Sequence, residues 1–355
     1  MALELTWLPG FVDVHWLHAD HWDLSIPVYL YLAALAGGAY LTGASASLLR
    51  SRDDEDDPLT GELARWGFLV AVVAAAGAGL AVLSHLAVVY RAILFPVYLT
   101  NFGSWITIGT WILVLLATFS VVGLLLVQFG ERAAMDEGAS LFPRWIAAKL
   151  RLAGPLDRAV DRIRASRIAV VAIYLLGSVF AVATLYTGFE LAIVESVPLW
   201  NRPTLLPALF LVSGIAAGMG VALALTLLFE RELPPVVGGY AVVVALLSGI
   251  SMALVWYGWE SFAASNAPAA AASYAHLTGE LSAGMWLVAL GFVVPLVVGV
   301  VVGTAAAMGK LSRSVERAGG PALVASLFLL AAGALALRVL LVLAAEKHPV
   351  VVVGP

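Results

Sequence analysis

Five side chains able to do chemistry stand within or at the ends of apolar stretches of this sequence: His85, Tyr186, Glu190, Glu280 and Arg338. An ionisable group in hydrocarbon is costly to desolvate, so each is a functional candidate by default. Tyr186 and Glu190 are four residues apart, which puts a phenol and a carboxylate on one face of a helix. With Trp105 and other tryptophans they form an inventory of imidazole, carboxylate, guanidinium, phenol and indole. That inventory suits a quinone: aromatic and aliphatic walls hold ring and tail, and acids or donors bind and protonate its two carbonyls. Glu190 or His85 is the expected proton carrier, because a carboxylate or an imidazole can give and take a proton. Arg338 is expected to pair with Glu190 or polarise a carbonyl, and Tyr186 to donate a hydrogen bond. The competing reading of Glu190 and Arg338 is a salt bridge that joins helices and has no redox part.

A second cluster lies near the N-terminus. The stretch DVHWLHADHWD, residues 13–23, holds three histidines, three aspartates and two tryptophans. His15, His18 and His21 are spaced by three, so on a helix the outer pair is about 120° apart, a poor arrangement for one metal ion. The segment reads first as a docking surface, with a pocket lid and a metal site as alternatives; no metal site is expected.

The elements that must position these residues are membrane helices. Of the 355 residues 62% are hydrophobic and 12% charged, and the mean hydropathy is +0.99. These values exclude an ordinary soluble domain. About 20 apolar residues cross the hydrocarbon, and eight stretches qualify: 26–49, 66–90, 104–128, 168–193, 205–229, 235–257, 281–308 and 321–345. The connections 50–65, 129–167, 230–234 and 309–319 hold 15 of the 19 Lys and Arg residues. By the positive-inside rule these face the cytoplasm, leaving both termini and segments 91–103, 194–204 and 258–280 outside. The start MALELTWLPGFVDVHW lacks a basic region followed by an apolar core, so no cleavable signal peptide is expected. The long inner loop carries PRWIAAKLRLAGPLDRAVDRIRASR, whose helical spacing fits a helix at the anionic inner surface or a solvated linker helix. The inner run DDEDD, 53–57, reads as a solubilising turn.

The sequence also repeats. PVYLYLAALAGGAYL from Pro27 aligns with PALFLVSGIAAGMGV from Pro207, and SWITIGTWILV with GELSAGMWLVA, matching Gly109 to Gly284 and Trp111 to Trp286. The offsets of 180 and 175 are nearly constant. Four spans per unit keep the units in one orientation, so two four-helix bundles related by an axis along the membrane normal are expected. The expected division is an outward segment 1–25, a first bundle 26–193 that includes the basic loop 129–167, a second bundle 194–345 and an outward tail 346–355. The patches Ala36-Gly37-Gly38 and Ala216-Ala217-Gly218 would let backbones approach closely.

With no cysteine, the protein can hold no disulfide, thiolate zinc site or iron–sulfur cluster of its own. Haem needs paired axial ligands. Only His85 lies within a span, with His276 just before another, so no haem is expected. The acids and histidines identified within or at the ends of spans all sit toward the outward side, so protons should exchange with the outside.

NFGSWITIGTWIL (101–113) and YTGFELAIVESVPLWNRPTLLPALFLVSGIAAG (186–218) closely resemble signatures of the NrfD/PsrC family, the membrane subunits of polysulfide reductase-type respiratory complexes. PVYLYLAALAGGAYL and LRVLLVLAAEKHPVVVVG fit as well, so the resemblance spans nearly the whole sequence. It implies an all-α integral membrane protein of eight helices in two bundles, without haem, that binds menaquinone or ubiquinone near the outer face of the cell membrane. It implies partners too: an extracytoplasmic ferredoxin-like iron–sulfur subunit and, in many complexes, a molybdopterin catalytic subunit. The family's tyrosine followed two places later by glycine matches Tyr186 and Gly188. An asparagine and a histidine of the polysulfide reductase pattern fall on Ile26 and Tyr29, and an acidic residue late in span 2 falls near His85. These departures concern the polysulfide assignment. The competing functions are a secondary transporter, since duplicated halves also mark transporters, and an anchor that only tethers a redox partner. The absence of a matched pair of short, broken helices and of a buried charge at mid-depth speaks against the transporter.

Overall fold

In hydrocarbon every main-chain N–H and C=O must be bonded within the protein, and a long apolar run achieves this as a helix. The computed structural model describes residues 24–50, 58–85, 100–130, 147, 149–230, 233–265, 267–310 and 313–346. Among these the regular structure is helical throughout: α1 (Ser25–Arg50), α2 (Pro58–His85), α3 (Trp105–Gln128), α4 (Ala153–Arg164), α5 (Arg167–Ala183), α6 (Tyr186–Ala192), α7 (Leu205–Glu230), α8 (Pro235–Ala263), α9 (Pro268–Thr278), α10 (Ser282–Val298), α11 (Thr304–Ala307) and α12 (Arg313–Leu343). They supply eight apolar segments of 24 to 29 residues, long enough to cross a membrane.

Seven of the eight follow the sequence reading closely. The second begins at Leu59 instead of 66, and the stretch 86–90 of the expected span lies outside the described residues. Its first turns carry Glu62 and Arg65, which an apolar window rejects, but the two side chains pair at i,i+3 and so suit a helix there. Two further corrections concern shape. Segment 258–280, expected to face outward between the sixth and seventh spans, is mostly helical: α8 continues to Ala263 and α9 follows at Pro268. The spans are also not all unbroken. The fourth is interrupted at Thr184–Leu185, where the Thr184 hydroxyl donates to the Ala181 carbonyl at 2.7 Å and the Thr187 hydroxyl to the Thr184 carbonyl at 2.8 Å. Side-chain hydroxyls there compete with the helix for main-chain acceptors. The seventh passes from α10 through a π turn, Gly299–Gly303, into α11, after Pro295 has removed one main-chain donor.

Helices α1 and α7 form the centre: 67% of an 18-residue apolar stretch in each is buried, against 22–50% for the other six spans. Helix α1 packs on α2, α5 and α7, and α7 on α8 and α12, with α10 against α8 and α12. The two small-residue patches meet at the α1–α7 crossing. A Cβ on Gly38 would fall 2.5 Å from the Ile215 carbonyl oxygen, and one on Gly218 2.2 Å from that of Leu35. Only hydrogen fits, and main chains in such contact gain dispersion and Cα–H···O contacts that lipid does not offer. Gly37 faces the Ala181 carbonyl of α5 in the same manner.

At the opposite end of these helices, the basic loop yields α4. Its Val160 is buried, Arg164 donates to the Leu126 carbonyl, and Asp157 accepts the Gly130 N–H at 2.9 Å. Gly130 has φ +102°, which favours glycine. The amphipathic pattern thus produces a helix that ties off the end of the third span.

Candidate functional site

The turn at Thr184–Leu185 separates α6 from α5, and on this short helix Tyr186 and Glu190 share a face as their spacing requires. Both meet a residue of α1, Tyr29. The Tyr29 hydroxyl lies 2.8 Å from the Tyr186 hydroxyl and donates to the Glu190 carboxylate, 3.1 Å from Oε2 and 3.2 Å from Oε1. A phenol has one proton to give. With Tyr29 donating to the carboxylate, Tyr186 must be the donor to Tyr29, so the hydrogens run Tyr186 to Tyr29 to Glu190. A bond ending on a carboxylate is of the stronger, charge-assisted kind. Tyr186 is 1% exposed and Tyr29 8%, whereas Glu190 is half-buried.

Neighbours hold the cluster in place. Gly109 of α3 lies beneath the Tyr186 ring, where a Cβ would come 2.1 Å from Cε2. Trp105, at the start of α3, stacks on Phe189 of α6 with centroids 4.8 Å apart and planes 8° from parallel. A flat aromatic wall therefore stands beside the run of hydroxyls and carboxylate. Gly188 makes a different contact: it lets α6 approach the start of α7, a Cβ there falling 2.4 Å from the Pro207 Cα.

The other expected residues lie elsewhere. Arg338 of α12 is fully buried, and its terminal nitrogens donate to the Ala334 carbonyl at 3.0 Å and the Phe210 carbonyl at 2.9 Å. Its guanidinium sits 4.6 Å from the Phe210 ring centroid and within electrostatic reach of Tyr31. Tyr29 and Tyr31 are about 200° apart around α1, so the carboxylate and the guanidinium occupy opposite sides of that helix. The expected Glu190–Arg338 pairing is absent, since geometry gives each charge other partners. Glu280 does not open the seventh span but stands on the turn after α9, 86% exposed, 3.9 Å from His276. His276 also meets Glu346 at 3.3 Å, and the Glu346 N–H donates to Ser273 at 3.1 Å. This is a second polar cluster, remote in sequence from Glu190. His85 is the last residue of α2. His15, His18 and His21 fall outside the described residues.

Sequence reasoning missed Tyr29 and Phe189. For Tyr29 the one signal is the resemblance, which sets it where the polysulfide reductase pattern is expected to carry a histidine; a phenol, like an imidazole, is a group able to hold a proton.

Eight apolar segments around a buried run of hydroxyls and carboxylate describe a multi-pass membrane protein with a polar site between its helices. The family model described as polysulphide reductase, NrfD, matches residues 18–348, and the protein belongs to that family. It is 28% identical over 324 residues to the C subunit of the polysulfide reductase of Wolinella succinogenes, covering 89% of this sequence and 92% of that one.

Proposed function

We propose that the protein is the haem-free, quinone-reactive membrane subunit of a respiratory oxidoreductase complex, passing electrons between membrane quinone and an extracytoplasmic iron–sulfur subunit. The observation that carries this reading is the hydrogen-bonded series Tyr186–Tyr29–Glu190, ending on a half-buried carboxylate beside the Trp105–Phe189 stack. These residues fit a quinone: a flat aromatic wall for the ring, hydroxyls for a carbonyl, a carboxylate for a proton. Menaquinone or ubiquinone, when bound, supplies the two-electron, two-proton chemistry. Glu190 holds and moves the proton at its carboxylate oxygens, Tyr29 and Tyr186 orient the substrate and pass hydrogen bonds, and Gly109 keeps the Tyr186 ring in register. His85 remains a second candidate carrier at the end of α2. Arg338, turned to the α7 main chain, acts in this reading by fixing α12 on α7.

A protein without cysteine has to hand electrons to a centre in another subunit. A ferredoxin-like iron–sulfur protein, itself joined to a molybdopterin subunit, meets that need, and the Wolinella relative is by name one lettered component of a reductase. The positive-inside distribution supports both termini and Glu190 facing outward in the cell membrane. The division into bundles 26–193 and 194–345 is part of the same proposal. It is supported by Gly109 and Gly284, matched by the repeat, each lying beneath a side chain of its half's last span, Tyr186 and Leu340.

The interrupted fourth and seventh spans favour a second reading, a secondary transporter, whose sites use broken helices. The experiment is quinone-linked turnover of the assembled complex with Glu190→Gln, which keeps the shape and removes the titrating group. Loss of roughly 10²-fold is expected for a positioned proton carrier. Unchanged turnover in an assembled complex removes Glu190 from that part.

A further inference from the structure

Beside the polar cluster, on the far side of the α7 N-terminus, lies a cavity of about 80 Å³ walled by Leu205, Leu209, Leu254, Met285 and Leu340. It lies among the ends of α7, α8, α10 and α12, at the level where helices leave hydrocarbon. Its size limits its contents, since a dry cavity of roughly 150 Å³ is what takes a benzene ring. About half of that excludes an aromatic head group and admits a stretch of alkyl chain. The rim supplies a charge. Arg202, which lines the cavity, holds its guanidinium 5.6 Å from the Phe262 ring centroid and takes part in none of the ion pairs among the described residues. Trp256 and Tyr257 on the adjoining turn of α8 are 57% and 66% exposed, as aromatic side chains are at the head-group level of a bilayer.

We propose that this is a binding site for one anionic glycerophospholipid, its phosphate on Arg202 and part of one acyl tail in the leucine-walled cavity. A cation on the lining of an otherwise aliphatic cavity at the ends of the spans matches the two parts of such a molecule, phosphate and acyl tail. Arginine suits phosphate because its planar fork offers two parallel N–H bonds. The lipid would fill the space among α7, α8, α10 and α12 and brace the start of α7, against which α6 packs through Gly188. The proposal stands apart from quinone reactivity, since Arg202 touches none of Tyr29, Tyr186 and Glu190.

The test is native mass spectrometry of the purified full-length protein offered phosphatidylglycerol or phosphatidylcholine, with bound quinone measured alongside. Wild-type protein is expected to retain one phosphatidylglycerol in preference to phosphatidylcholine. Arg202→Gln is expected to cut phosphatidylglycerol retention about fivefold and abolish the preference, the size of effect a charge-assisted contact at a partly wet site gives. Leu254→Trp, which fills the cavity, is expected to lower retention of both lipids while the quinone content stays constant. Phosphatidylglycerol retention unchanged in Arg202→Gln overturns the proposal, and so does release of quinone instead of phospholipid by Leu254→Trp. Should Leu254→Trp fail to fold, the Arg202→Gln result decides alone.

Discussion

On either side of the α7 N-terminus the protein builds two sites of opposite character from similar parts. On one side Tyr186, lying over Gly109, donates to Tyr29, which donates to Glu190. On the other, Leu340 lies over Gly284, and Leu209, which the proposed repeat aligns with Tyr29, lines a cavity without a carboxylate. The difference teaches that the helical frame and its glycine floors do not by themselves make a polar site. A few polar side chains set the two apart on a scaffold that holds leucine at the other position, and each of them stands where a partner satisfies it.

The glycine floors give the sharpest way to break the comparison. Gly109→Ala pushes a methyl group into the Tyr186 ring, which cannot yield without separating the hydroxyls. Turnover of the assembled complex should fall roughly 10²-fold, as misplacement of a reacting group by about 1 Å does. Gly284→Ala meets only the flexible end of Leu340, 2.7 Å from the new Cβ, so turnover should stay within about twofold and stability within about 1.5 kcal/mol. Equal losses in both variants would dissolve the distinction.

A smaller effect is expected from the hydroxyls. Tyr29→Phe and Tyr186→Phe should each slow turnover about tenfold, and the double variant should be less than additive, with a coupling of about 0.5–1.5 kcal/mol in a thermodynamic cycle. Additive losses would mean that the two phenols act independently. The smallest effect belongs to the wall: Trp105→Ala removes a stacked pair that contributes about 0.5–1.5 kcal/mol. It should raise the KM for quinone a few-fold and leave kcat nearly unchanged, read from steady-state kinetics.

The sequence carries the spans plainly, because hydropathy over 20 residues is a property of one segment. Tyr186 and Glu190 are legible for the same reason: their spacing of four is local. Tyr29 is marked only by the resemblance and by no local pattern, since its contact with Glu190 spans 161 positions that no local period encodes. Arg338 shows the converse. Burial of its charge is legible, but its direction depends on the rotation of α12 about its axis, and that rotation points it at the Phe210 carbonyl and ring. Glu280 is misplaced by the apolar run starting just after it, which hides the turn that sets it in solvent. The break at Thr184 is hidden in turn by that span's hydropathy, which hydroxyls competing for main-chain carbonyls barely alter.

The central claim is that the Tyr29–Tyr186–Glu190 cluster receives quinone, and one measurement addresses it directly. Redox titration of the purified wild-type protein should show about one tightly bound, redox-active quinone per molecule, and the assembled Tyr29→Phe/Tyr186→Phe/Glu190→Gln variant should show less than about a tenth of that. A wild-type protein without stoichiometric quinone, or a triple variant that keeps its full complement, would contradict the account.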